Sequence, residues 1–115
     1  MILRATCIPT FAGRATDDQG RAVRIDLPEG VVAFTAQAIT RGGTAWATAT
    51  LSLHRGNLPG GPFDEHDPAV DLTPAAPFSS LTVRGGASIF PVFSAAETGV
   101  EVELVLDCIR TGISL

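Results

Sequence analysis

Two stretches of the chain alternate apolar and polar residues over most of their length. In residues 46–54, WATATLSLH, Ala47, Ala49, Leu51 and Leu53 alternate with Thr48, Thr50, Ser52 and His54. In residues 99–110, GVEVELVLDCIR, Val100, Val102, Leu104, Leu106 and Cys108 alternate with Glu101, Glu103 and Asp107. Successive side chains leave a strand on opposite faces, so each stretch has one dry and one wet face. The two read as the long central strands of a β-sandwich and as partners of each other.

The flanking pattern adds shorter strands. Residues 2–11 form a first strand in which Pro9 points to an edge or a bulge, and Thr16-Asp17-Asp18-Gln19-Gly20 is turn chemistry. Residues 22–27 place Val23, Ile25 and Leu27 on one face. Pro28-Glu29-Gly30 turns the chain into VVAFTAQAI, where Val32, Phe34, Ala36 and Ala38 share a face. Arg41-Gly42-Gly43-Thr44 reads as a hairpin loop into the central strand. Beyond it, residues 55–69, RGNLPGGPFDEHDPA, lose all alternation and read as one long loop, a functional excursion or a contact surface. Short strands follow at 70–73 and 79–84. Gly85-Gly86 leads into SIFPVFSA, and Ala96-Glu97-Thr98-Gly99 closes a last hairpin.

About eight short strands with no helical period predict an all-β fold: one antiparallel β-sandwich domain over residues 1–115, jelly-roll or Greek-key-like, with an up-and-down barrel as the other topology. In residues 89–93, IFPVF, both faces are apolar while Pro91 lacks a ladder donor, which points to an edge strand or a bulge; an apolar edge strand is one that something must cover. Either the 55–69 loop or another subunit does so. Phe90, Val92 and Phe93 are accordingly candidates for a subunit contact.

Composition narrows the function classes. An apolar fraction of 45% with 17% charge is enough for a core in 115 residues. The net charge of -4 argues against neutralising nucleic-acid phosphates. All 8 basic residues are Arg, for which codon bias is the plainer explanation. The apolar run at the N-terminus breaks at Arg4 and no run is long enough to span a bilayer, so no membrane role is expected. Cys7 and Cys108 fall in the first and last strands, where buried free thiols in a reducing compartment are expected; a disulfide would require those strands to be neighbours.

Candidate chemistry is thin. Asp64, Glu65, His66 and Asp67, with Asp71, could offer ligands to Ca²⁺ or Zn²⁺, but their spacing matches no metal motif; a solvated acidic loop is the plainer reading, and no cofactor is expected. Together with Phe63 they are candidates for partner contact. Glu101 and Glu103 share a strand face at a carboxylate-pair spacing, without aromatic residues for a sugar platform. Ser52 and His54 share a face by periodicity alone, with no strained nucleophile turn. Trp46 is either an exposed sugar or partner contact or the closure of one end of the core.

The run WATATLSLHRGN, then VDLT, then LTVRG, then AETGVEVELVLDC resembles the small β-sandwich accessory proteins of tailed-bacteriophage particles, which include head-decoration, head-fibre-base and neck or tail domains. The likeness spans residues 31–110 and rests on strand order and turn placement. Arg55-Gly56-Asn57 followed by Leu58-Pro59-Gly60-Gly61 departs from the polar turn usual there. The resemblance implies a non-enzymatic virion protein, made in the host cytoplasm, that binds major capsid, portal or tail subunits, as a homo-oligomer such as a trimer. The alternative from another class is a carbohydrate- or cell-surface-binding module.

Overall fold

The structure, a computed structural model, describes residues 1–56, 64–82 and 88–110. These residues form nine strands and no helix: β1 (Ile2–Phe11), β2 (Arg14–Thr16), β3 (Ile25–Asp26), β4 (Val31–Arg41), β5 (Leu51–Gly56), β6 (Asp64–Leu72), β7 (Phe78–Thr82), β8 (Ser88–Phe93) and β9 (Glu101–Arg110). They make two antiparallel sheets, β2-β1-β9-β4-β7 and β3-β8-β5-β6. Setting aside the three-residue β2, the order β1-β9-β4-β7 over β3-β8-β5-β6 is that of a jelly roll built from two Greek keys.

This topology corrects the expected pairings. β9 lies between β1 and β4, while β5 lies between β8 and β6. The two alternating stretches are therefore centres of opposite sheets rather than hydrogen-bonded partners. The short links 42–50 and 94–100, expected to close hairpins, instead carry the chain from one sheet to the other. Alternation tells which side of a strand is dry, and a strand facing its partner across the core shows the same pattern as one beside it.

One buried cluster unites the sheets: Phe34, Val102, Leu104 and Leu106 from the first, Leu51, Leu53, Leu72, Ile89 and Phe93 from the second. Burying each such side chain contributes roughly 1.5–3 kcal/mol. In β4 the expected face holds for Phe34, Ala36 and Ala38, but a register shift between Val31 and Ala33 buries Val31 fully and leaves Val32 only half-buried. Val23, Ile25 and Leu27 are all buried, although only Ile25–Asp26 forms ladder bonds.

Both prolines within apolar strands have physical explanations. Pro9 lies where the β1–β2 register shifts between Ile8 and Phe11, beyond the end of the β1–β9 ladder. β8 is not an edge in strand order, since β5 and β3 flank it. The Ser94 amide donates to the Thr50 carbonyl (2.9 Å), which with the β5–β8 register turns the backbone groups of Ile89, Pro91 and Phe93 away from β5. On that side β3 covers Ile89, and the Gly13 amide donates to the Phe93 carbonyl (2.8 Å). The missing N–H of Pro91 thus falls between these two contacts, where no ladder donor is called for. The first quarter of the chain covers this edge.

The acidic segment is also reassigned. Strand β6 begins at Asp64, so Asp64, Glu65, His66 and Asp67 belong to a strand rather than to a loop. The expected loop runs from 55 to 69; of it, Asn57 to Phe63 lie outside the described residues. So do Val83 and Arg84 of the expected 79–84 strand, with the Gly85-Gly86 turn.

Candidate functional site

The expected central strand loses its first half. Strand β5 starts only at Leu51. The amides before it are taken by side chains: Thr50 N–H donates to Ser94 Oγ at 2.9 Å, and the Glu97 carboxylate accepts Ala47 N–H at 3.0 Å on Oε1, and Thr48 and Ala49 N–H at 3.3 and 2.7 Å on Oε2. The Glu97 amide in turn donates to the Pro9 carbonyl at 3.0 Å. Burial pushes this carboxyl upward, and the three amides outweigh it and hold the group below its usual range. Gly99, two residues on, has a φ of +81°, a conformation that side-chain-bearing residues rarely adopt, and a Cβ there would also press on the Thr44 hydroxyl at 2.9 Å. The turn that positions Glu97 therefore depends on a glycine.

Trp46 closes the same end of the core. It is buried, donates its indole N–H to the Ala49 carbonyl (2.8 Å) and meets Phe93 edge to face at 6.5 Å between centroids. Of its two readings the core closure holds, and the exposed sugar contact does not. Phe93 itself is 0% exposed, so its candidacy for a subunit contact is corrected: β8 turns Ile89, Pro91 and Phe93 inward. Phe90 and Val92 point to the outer face of the sheet and are half-buried.

The other candidates separate. Phe63 lies outside the described residues, as do the side chains of Asp64, Glu65, His66 and Asp67. Their backbone follows an irregular edge: Leu53 pairs with Val70, His54 with Pro68 and Arg55 with Asp64, with register shifts at both steps. Ser52 donates its hydroxyl hydrogen to Asp71 at 2.6 Å, so that hydrogen is spent on a carboxylate and not on His54 as a triad would need.

On the outer face of the five-stranded sheet, Glu103 accepts from Arg4 at 2.9 Å and Arg41 at 3.2 Å. Two guanidiniums on flanking strands thus clamp one carboxylate of the Glu101/Glu103 pair, an arrangement that ties β1, β9 and β4 together. The Asp17 carboxylate accepts the amides of Gln19 and Arg21, both at 2.9 Å; the Arg21 amide is the main cause of its lowered pKa. It borders an open cavity of about 320 Å³, but its Oδ1 is committed to the turn. Among the described residues no three His, Cys, Asp or Glu come together as a metal site requires.

Cys7 and Cys108 lie on neighbouring strands, yet Cys7 is opposite Val102 and the Cys108 amide bonds the Met1 carbonyl. Six residues of stagger, on the order of 20 Å, keep the thiols apart. Both are free and buried; burial pushes the Cys7 thiol up to about 12 and raises that of Cys108.

Glu97 is the residue the sequence reading passed over, as one member of a turn. Its signal was faint: a lone acid beside a tight glycine turn. The exposed Phe78 was likewise hidden, directly after the Pro74–Pro77 break. No protein-family model matches the chain, and no curated protein matches it either.

Proposed function

We propose that the protein is a non-enzymatic structural subunit of a tailed-bacteriophage virion, a capsid-decoration or head–tail accessory protein that binds major capsid, portal or tail subunits. The observation that carries this reading is the jelly-roll strand order, an architecture shared by viral capsid domains. Fold alone does not set function. What turns this fold toward assembly is its surface: Ile2, Phe11, Phe78 and Ile109 are each more than half exposed, and Phe90 and Val92 lie on an outer face. Ile2, Phe78 and Ile109 share the outer face of the five-stranded sheet and Phe90 and Val92 that of the other, so both outer faces offer apolar side chains to neighbouring subunits. Buried thiols without a disulfide fit synthesis in the host cytoplasm. The mechanism is mechanical: contact area and strand pairing across subunits stabilise a shell or joint, and no cofactor or nucleic acid takes part.

Mass spectrometry of particles purified on a density gradient tests the reading. The expected result is the protein at a fixed copy number relative to the major capsid protein, retained after nuclease and high-salt washes. Recovery only from the soluble lysate, with none on particles, would overturn it.

A further inference from the structure

The sheets end in four edge strands, and three carry features that discourage pairing with another chain. β2 has three residues and β3 two. β6 has nine, but contains Pro68, two register shifts and the acids Asp64, Glu65, Asp67 and Asp71. β7 differs: its sequence FSSLT has no charge and no proline, and it pairs with β4 in unbroken register from Gln37–Phe78 to Ala33–Thr82.

The bonding pattern fixes which groups this edge presents. The Ala38 amide donates to the Pro77 carbonyl at 2.9 Å, so residues 77, 79 and 81 face β4. The backbone N–H and C=O groups of Phe78, Ser80 and Thr82 therefore point away from the sheet. Phe78, 60% exposed, stands at one end of this row.

We propose that β7 is a self-association edge, on which a second copy of this chain pairs its own β7 antiparallel about a two-fold axis at Ser80. Three outward residues evenly spaced about Ser80 are self-complementary: Ser80 meets Ser80, and Phe78 meets Thr82, each pair exchanging two backbone bonds. Charge selects the same contact. Copies of a chain with net charge -4 repel, and a β6–β6 contact would bring acids together. A β7–β7 contact brings no ionisable side chain to the axis, and Ala33, Thr35 and Gln37 beside it on β4 are neutral as well. The five-stranded sheet then runs on through both copies. This proposal concerns the chain alone, so absence from particles would leave it standing.

Sedimentation equilibrium on the full chain, with Ser80→Pro and Ser80→Lys, tests it. Ser80→Pro removes an N–H that faces away from β4, so the sheet tolerates it while both bonds at the axis are lost. Ser80→Lys opposes two cations there. The wild type is expected to dimerise, and each variant to weaken the dimer on the order of thirtyfold. A monomeric wild type, or a dimer unmoved by Ser80→Lys with native circular dichroism, would overturn the proposal. If either variant misfolds, Ser80→Cys decides: a short bifunctional thiol reagent links it into dimers because the native thiols are buried. Linking no better than exposed Thr48→Cys would overturn the proposal.

Discussion

Residues 46–54 and strand β9 have the same alternation, and the structure treats them differently. β9 is laddered along most of its length, between β1 and β4. In 46–54 the strand begins only at Leu51; the Thr50 amide before it goes to Ser94 Oγ, and the amides of Ala47, Thr48 and Ala49 are held by one side chain, Glu97. Alternation reports burial where the chain is extended: Ala49, Leu51 and Leu53 are as buried as Val102, Leu104 and Leu106, but at the start of the first stretch it fails, with Ala47 exposed and Trp46 buried. Pairing is a separate matter. A buried backbone must satisfy its donors, and a carboxylate placed by a distant turn does this as well as a neighbouring strand.

The contrast can be broken at several strengths. The largest effect belongs to the shared core. Leu104→Ala in β9 is expected to lower unfolding free energy by about 2–5 kcal/mol, read from denaturant melts. An effect as small as a surface substitution would mean that β9 is not at the centre.

Glu97→Ala comes next. It deprives three amides of their acceptor, and because those of Ala47 and Thr48 can reach water the expected cost is about 1–2 kcal/mol. Its pH dependence has a defined sign. A carboxyl held below its usual range stabilises the fold above that range, and this is lost as pH falls through the folded value. Between pH 7 and pH 3, the melting temperature of wild type should therefore fall further than that of Glu97→Gln. Parallel decline would remove Glu97 from the account.

Trp46→Phe keeps the ring against Phe93 but leaves the Ala49 carbonyl without the indole donor, for an expected loss of about 1 kcal/mol. The smallest effect is expected on β9's outer face. Arg41→Ala removes one of two partners of Glu103 in an exposed pair and should cost less than about 1 kcal/mol, diminishing further in high salt.

How much was legible in the sequence follows the same division. The all-β class and the inward positions of β5, β9 and, apart from Val32, β4 come from the side-chain pattern; Trp46 stands on the wet side of that pattern, and its core role, one of two readings, is decided by its burial. Which strands pair does not, because jelly-roll links as short as 94–100 cross between sheets as readily as they form hairpins. Pro91 shows the limit well. Its missing donor correctly signals a gap in a ladder, but that gap is a few residues of a flanked strand and not a sheet edge. The acids Asp64 to Asp67 were read as loop because their composition is loop-like, whereas the irregular register of β6 accommodates them within a strand. For the proposed self-association edge, the uncharged FSSLT is visible in the sequence, but only strand order shows that it ends a sheet.

Hydrogen exchange at Ala47, Thr48 and Ala49, compared between wild type and Glu97→Gln, tests most directly whether a side chain replaces a strand here. The account predicts protected amides in the wild type, a selective loss of protection at these three positions in the variant, and unchanged exchange along β9. Equal protection in both proteins would contradict it, since the amides would then owe their protection to something other than the Glu97 carboxylate.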